Sequence, residues 1–320
     1  MAPRRILMIG AGAVGQAYGF HLRRAGHHVT FLVRSRYVDA LNSGLDVHCL
    51  RGAAKGSHRF TDFSCQTLES LPQEHWDQVW LCMSSTALRG EWFELLVSRI
   101  EFTTFVMLQP GLFDREYILK YVAADRLVRG MIGLVSFMAP LPGSTRSPGM
   151  TWWFPPLGPT LFSGPNSSVS VVVQDLNDGG CPAKRVDDVS TFGAFGSALL
   201  MPLVAALEVA DWSLTTLRQG AALKLAAASA RQATQLACPG RRRWLVGLIT
   251  NPLVLKMIIA IAPRVTPFDL QGMLKSHFTK VGAQTRAMLE TYLTLASERQ
   301  EPSDGIEALS RSLPPQSHGS

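Results

Sequence analysis

Residues 5–36 read RILMIGAGAVGQAYGFHLRRAGHHVTFLVRSR, and the spacing of glycines and apolar residues in this stretch decides the fold. Every position between Arg5 and Gly10 is apolar, as in a strand buried on both faces. The hexapeptide Gly10-Ala11-Gly12-Ala13-Val14-Gly15 follows at once. Over residues 13–26, Val14, Tyr18 and Leu22 recur every four positions, which predicts one face of a helix, and Gly26 stands where helices end. His28 to Val33 (HVTFLV) predicts a second strand. Strand, glycine turn, helix and strand fit within about thirty residues, the size of one βαβ unit.

A GxGxxG alone is a weak signal, but between a buried strand and a helix it has the context that dinucleotide binding requires. Each glycine has its own reason. Gly10 permits a tight turn, Gly12 lets the backbone approach a pyrophosphate, and Gly15 lets the helix lie against the strand. The free N–H groups of the helix start then face the diphosphate. All six residues, Ala11, Ala13 and Val14 included, form the expected cofactor cradle. The competing reading is a corner that binds nothing.

The kind of dinucleotide is read from the end of the second strand. An NAD binder usually places Asp or Glu there to accept from the ribose 2′-OH. Here the strand ends FLVRSR, with Arg34 and Arg36 at that point. A guanidinium suits a 2′-phosphate through bidentate, charge-assisted contacts. The expected cofactor is therefore NADPH (NADP+). The bland alternative is that both arginines solvate a loop.

Further strands are predicted at 78–83 (QVWLCM), 104–109 (TFVMLQ) and 127–134, with a helix over 86–100. Such alternation implies a parallel sheet covered on both faces. From 136 to 180 proline and glycine become dense, and 160–163 and 169–173 read as hairpin strands closing the sheet edge. Beyond Asp187 the pattern is helical, over 190–207, 211–237, 244–262 and 268–298. The expected fold class is α/β: an N-terminal Rossmann-like dinucleotide-binding domain (1–190), then an all-helical C-terminal domain (191–320) for substrate and dimerisation. The polar tail from about Glu298 is expected to fray.

Composition narrows the function classes. Hydrophobic residues make up 47% and charged residues 17%, so a large core can be buried. The net charge of +7 suits an anionic small molecule as well as nucleic acid. The cations are scattered, and the one run, Arg241-Arg242-Arg243, reads as a solvated helix end or loop, so no nucleic-acid partner is expected. Residues 245–262 are the most membrane-like window. Asn251-Pro252 and Lys256 interrupt it, which favours a buried helix pair and no membrane partner. Five cysteines without a CxxC pair, after an N-terminus unlike a signal peptide, point to the cytoplasm. The eight histidines show no i, i+4 pair, and no metal site is expected. GxSxG, HExxH and a Walker-type loop are all absent.

The opening GAGAVGQ, the Val33-Arg34 pair and the α/β-then-helical layout resemble the ketopantoate reductase (2-dehydropantoate 2-reductase) family. The resemblance is strongest over 5–36 and implies that NADPH and a small keto-acid substrate meet between the two domains. It also implies that a lysine on the first long helix of the second domain protonates the substrate oxygen. Lys224 matches that lysine, and it is the only charged residue between Arg218 and Arg231.

Its usual company is incomplete. The family's asparagines four and eight residues later are Ala228 and Gln232 here, and a tryptophan two before is Ala222. A lysine after the fourth strand is replaced by Ser84-Ser85, and the Asn-Gly after the fifth by Gln109-Pro110-Gly111. Ser84 and Gln109 are thus the expected cofactor contacts there. A substrate-holding glutamate should fall within 280–284, where there is no acid; the nearest are Asp269 and Glu290. His277 and Lys280 are the candidate replacements for anion binding, beside Gln232 for the substrate. Buried groups left unpaired would discriminate against ketopantoate, so a related carbonyl substrate is expected. The alternative is an NADP(H)-binding regulatory or accessory protein with little catalysis.

Overall fold

The computed structural model describes residues 2–315 apart from 53, 157, 241 and 242, so the Arg241–Arg242 part of the basic run lies outside the described residues. The chain divides into two compact units, Met1–Ser190 and Thr191–Ser320.

The first unit opens with β1 (Arg5–Ile9), α1 (Ala13–Arg24) and β2 (His28–Leu32). Next come α2 (Val38–Asn42), β3 (Leu45–Cys49), β4 (Gly56–Phe60), β5 (Ser64–Gln66) and β6 (His75–Leu81). After α3 (Ser85–Leu88) and α4 (Glu91–Arg99), β7 (Glu101–Met107) and α5 (Asp114–Ile118) lead to β8 (Leu127–Met131). The unit continues through β9 (Val135–Ala139), β10 (Gly149–Trp153), β11 (Thr160–Ser163), α6 (Asn166–Asp178) and β12 (Ala183–Arg185).

Eight strands form one sheet in the order β12-β11-β8-β7-β6-β1-β2-β5. Pairing is parallel from β5 across to β8, and β11 runs antiparallel to β8. Because β1 lies between β2 and β6, the strand order reverses at β1, where open α/β sheets leave a crevice at the carboxyl ends of the strands. Ile6 and Met8 join one apolar cluster while Leu7 and Ile9 join another, so β1 is buried on both faces. This is a Rossmann-like sheet.

A second sheet, β4-β3-β10-β9, packs on α1. Phe20 meets Trp152 at 5.3 Å and Phe60 at 5.6 Å between ring centroids. Helix α1 is therefore buried on two sides, at Phe20 and His21 as well as Tyr18 and Leu22.

Three expectations in this unit need correction. Val169–Val173 lies in α6, not in a strand. Val169, Val172 and Leu176 are all buried, and their spacing of three and four is helical, so packing overrides the β-propensity of valine. The helix expected over 86–100 breaks in two at Gly90, whose φ of +153° suits glycine. The edge strand β11 does form, but its neighbours are β8 and β12, joined through α6.

The second unit is helical: α7 (Val189–Val209), α8 (Leu214–Gln219), α9 (Ala222–Ala237) and α10 (Arg243–Ile249), then α11 (Pro252–Val265), α12 (Leu270–Lys280), α13 (Gly282–Arg299) and α14 (Asp304–Ser312). By length and composition alone α7 is apolar enough to cross a membrane, yet Val204, Ala205, Ala206 and Leu207 are buried in the unit. The expected 211–237 helix breaks at Gly220, and 268–298 breaks at Val281. The tail does not fray throughout: α14 buries Ile306 and Leu309 and packs on α9. The expected burial of the α10–α11 pair is also wrong. Val246 and Leu255 face inward, but Trp244, Leu248, Leu253 and Met257 face solvent.

Candidate functional site

The ends of three strands meet at the glycine loop. Gly10 N donates to the Leu32 carbonyl and Cys82 N to the Ile9 carbonyl, each at 3.0 Å. Gly10 turns the chain at φ +100°, and a Cβ there would stand 3.3 Å from the Cys82 carbonyl oxygen. A Cβ on Gly15 would fall well inside contact distance of the Gly10 carbonyl oxygen. That closeness draws the first turn of α1 onto β1. Gly12 is the N-cap of α1, and a Cβ on it would meet nothing within 4 Å.

The first-turn N–H groups of α1 have no intrahelical acceptor, since its first bond is Gln16 N to the Gly12 carbonyl (2.9 Å). Gln16 itself is buried and donates Nε2 to the Ala11 carbonyl (2.8 Å). Its Oε1 has no partner among the described residues. An open glycine face, free N–H groups and an unpartnered amide oxygen fit a dinucleotide, whose diphosphate accepts and whose ribose hydroxyls donate. Burial pushes the Cys82 thiol pKa up, which disfavours the thiolate beside the loop.

Arg34 follows β2 as the N-cap of a short 3-10 turn, Ser35–Tyr37. It is exposed and forms no ion pair among the described residues. Arg36 lies over the Tyr37 ring at 4.8 Å. Ser84 caps α3, accepting from Ala87 N (3.2 Å) and pairing with Thr86 Oγ1 (3.0 Å). Gln109 is turned inward. Its Nε2 donates to the Leu81 and Met83 carbonyls (3.2 and 3.0 Å) and its Oε1 accepts from Leu108 N (3.2 Å), so its amide clamps the ends of β6 and β7.

Asp114, buried at the start of α5, organises the same edge and was not singled out from sequence. Its Oδ2 accepts from Ser85 Oγ (2.5 Å) and Gly111 N (2.9 Å), and its Oδ1 lies 2.9 Å from Arg89 Nη2. The loops after β6 and β7 are thereby tied together. The only local hint is an acid three residues after Gly111; its partners Ser85 and Arg89 lie far away in sequence.

In the second unit, Lys224 stands on the first turn of α9, exposed on the same side as Ala228 and Arg231. Gln232 is committed elsewhere. It donates to Asp304 Oδ1 (2.6 Å) and accepts from Gly305 N (3.0 Å), so its expected substrate contact gives way to packing between α9 and α14. His277 and Lys280 are exposed on α12, with the His277 ring edge-on to Phe278 at 4.8 Å. No group of metal-ligating side chains is found among the described residues.

Residues 6–146 match the family model described as Ketopantoate reductase PanE/ApbA. Among solved structures, the chain is similar to D-mandelate dehydrogenase with NADH and anilino(oxo)acetate: TM-score 0.74, 14% identity, with 96% of each chain covered. It is also similar to 2-dehydropantoate 2-reductase from Geobacter metallireducens: TM-score 0.70, 18% identity, covering 97% of this chain and 98% of that one. A probable 2-dehydropantoate 2-reductase from Bacillus subtilis superposes with TM-score 0.68 at 15% identity, covering 96% and 98%. At these identities the structures show a shared fold. Residues 6–146 are thus similar to the ketopantoate reductase family PanE/ApbA, and the chain as a whole shares the fold of these dehydrogenase and reductase structures.

Proposed function

We propose that this protein is an NADPH-dependent reductase of the keto group of a small 2-oxo acid or related carbonyl compound. The observation that carries this reading is the β1–GAGAVG–α1 corner, open at Gly12 and lined by free N–H groups, at the point where the strand order reverses. NADPH, when bound, supplies the hydride. Gly10 and Gly15 shape the loop, and the N–H groups of Ala13 and Val14 are free to meet the diphosphate. Arg34 takes the 2′-phosphate in this reading, supported by its exposure beyond β2 and its lack of an ion-pair partner among the described residues. Gln109 and Asp114 hold the neighbouring loops still. Lys224 Nζ donates the proton that the carbonyl oxygen needs, as its match to the family lysine implies.

Substrate choice follows from what the second unit lacks. Ala228 offers no amide, Gln232 spends its amide on Asp304 and Gly305, and 280–284 holds no carboxylate. This donor and acceptor set favours a carbonyl compound other than ketopantoate. The same losses favour a second reading, an NADP(H)-binding accessory protein with little catalysis.

The two separate in one assay, NADPH oxidation by the purified protein against a panel of 2-oxo acids that includes ketopantoate. The reductase reading predicts turnover of at least one panel member, with kcat lowered about 100-fold or more in Lys224→Ala. NADPH binding without turnover of any panel member would leave the accessory reading standing.

A further inference from the structure

Two consecutive helices of the second unit turn large apolar side chains to solvent. On α11, Leu253 is 71% exposed, Met257 62%, Ile261 52% and Val265 57%. These residues recur every four positions and make one stripe along the whole helix. On α10, Trp244 and Leu248 do the same at 64% and 55%. On the opposite side of α11, Leu255 is only 3% exposed and is the one residue of the helix that is fully buried. Scattered exposed apolar residues are common on protein surfaces, but a stripe the length of a helix marks an interaction face. The helix is specified locally, since Asn251 Oδ1 accepts from Leu253 N (2.8 Å) and Pro252 opens the first turn.

Charge says what covers the stripe. Lys256 and Arg264 are exposed on α11 itself. Between Asp211 and Asp269 the chain carries eight Lys or Arg and no Asp or Glu. A second copy seated on this face would bring the same cations against each other, with Asp269, just beyond the end of α11, the nearest acid in the sequence. An anionic lipid surface supplies the missing charge and takes up the apolar stripe. At 14 residues α11 is about 21 Å long, too short to span a hydrocarbon core of about 30 Å. A helix with a cationic flank, an apolar face and a neighbouring tryptophan is suited to lie in the interface plane.

We propose that the α10–α11 face is a peripheral membrane-binding surface. Its apolar stripe seats at the headgroup–acyl boundary while Lys256 and Arg264 meet anionic headgroups. The test is flotation of the full chain with phosphatidylcholine vesicles, with and without phosphatidylserine. The protein should float with the phosphatidylserine vesicles, stay behind with phosphatidylcholine alone, and be released as salt is raised. The double variant Met257→Glu/Ile261→Glu, at exposed positions, should lose binding with an unchanged melting temperature. The pair Lys256→Glu/Arg264→Glu should weaken binding about tenfold or more. Failure to float with phosphatidylserine vesicles, or undiminished binding by the Met257/Ile261 variant, overturns the proposal. So does a dimer of the parent chain, seen by sedimentation, that becomes monomeric in that variant without any vesicle binding; the face would then join two copies.

Discussion

A methyl group at position 15 has no room, because the Gly10 carbonyl oxygen already occupies the space a Cβ would need. Gly15→Ala should therefore push the first turn of α1 off β1, cost about 1–3 kcal/mol of stability and abolish NADPH binding. Thermal melting and cofactor titration read the two effects separately. Gly12 differs in kind, since a Cβ there would meet nothing within 4 Å among the described residues. The close packing at Gly15 was legible in the sequence, because it depends on the absence of a side chain at a fixed place in a local motif. Asp114 was not legible. Its partners Ser85 and Arg89 lie 29 and 25 positions earlier and are brought to it by the parallel pairing of β6 and β7. The inward turn of Gln109 and the capture of Gln232 by α14 were equally hidden, for each amide answers to groups distant in the chain.

At the scale of elements, α1 is the most constrained piece of the first unit. Sequence periodicity identified its face toward the large sheet through Val14, Tyr18 and Leu22 but missed the face toward β9 and β10. That second face carries His21, whose Nδ1 pairs with the Gly179 carbonyl at 2.9 Å among the rings of Phe20, Trp152 and Phe154. Burial, with a smaller contribution from the nearby Arg24 cation, holds its pKa down at about 4 against an ordinary value of 6.5. In the unfolded chain His21 takes up a proton below about pH 6.5, whereas in the folded protein it resists until about pH 4. Its contribution is full above pH 6.5 and is lost as pH falls toward 4, about 3 kcal/mol at the limit. Denaturant melts of the parent and His21→Phe across this range should show the variant losing less stability on acidification. Identical pH slopes would contradict the assignment.

The opposite, amino-terminal edge of the sheet is held by a buried carboxylate. Asp175 of α6 receives Arg4 Nη1 at 2.7 Å and Gln78 Nε2 at 2.6 Å, and His27 Nε2 lies 3.1 Å away. This hub adds a long-range tie to the packing that holds the valine-rich segment at 169–173 in a helix. Asp175 lies six residues after Val169, on the side of α6 that also buries Val172 and Leu176. Local propensity cannot reveal such a tie, which joins residues 171 positions apart.

On the scale of the whole molecule, the α/β-then-helical order was readable because strand and helix periods differ and the change of texture after residue 187 is abrupt. Where single helices break was less readable, since Gly90, Gly220 and Val281 interrupt apolar patterns that run through them. Exposure of α10–α11 was unreadable, because an apolar helix has the same composition whether it faces a core or a bilayer. The proposed NADPH site rests on two features, the open Gly12 turn and the exposed Arg34, which has no ion-pair partner among the described residues. Their joint consequence can be measured directly by calorimetric titration of NADPH and NADH into the parent protein and Arg34→Ala. The parent should bind NADPH at least about tenfold more tightly than NADH, and Arg34→Ala should lose this preference by weakening NADPH alone. Equal binding of NADPH by the two proteins, or binding of neither dinucleotide by the parent, would contradict the proposed site.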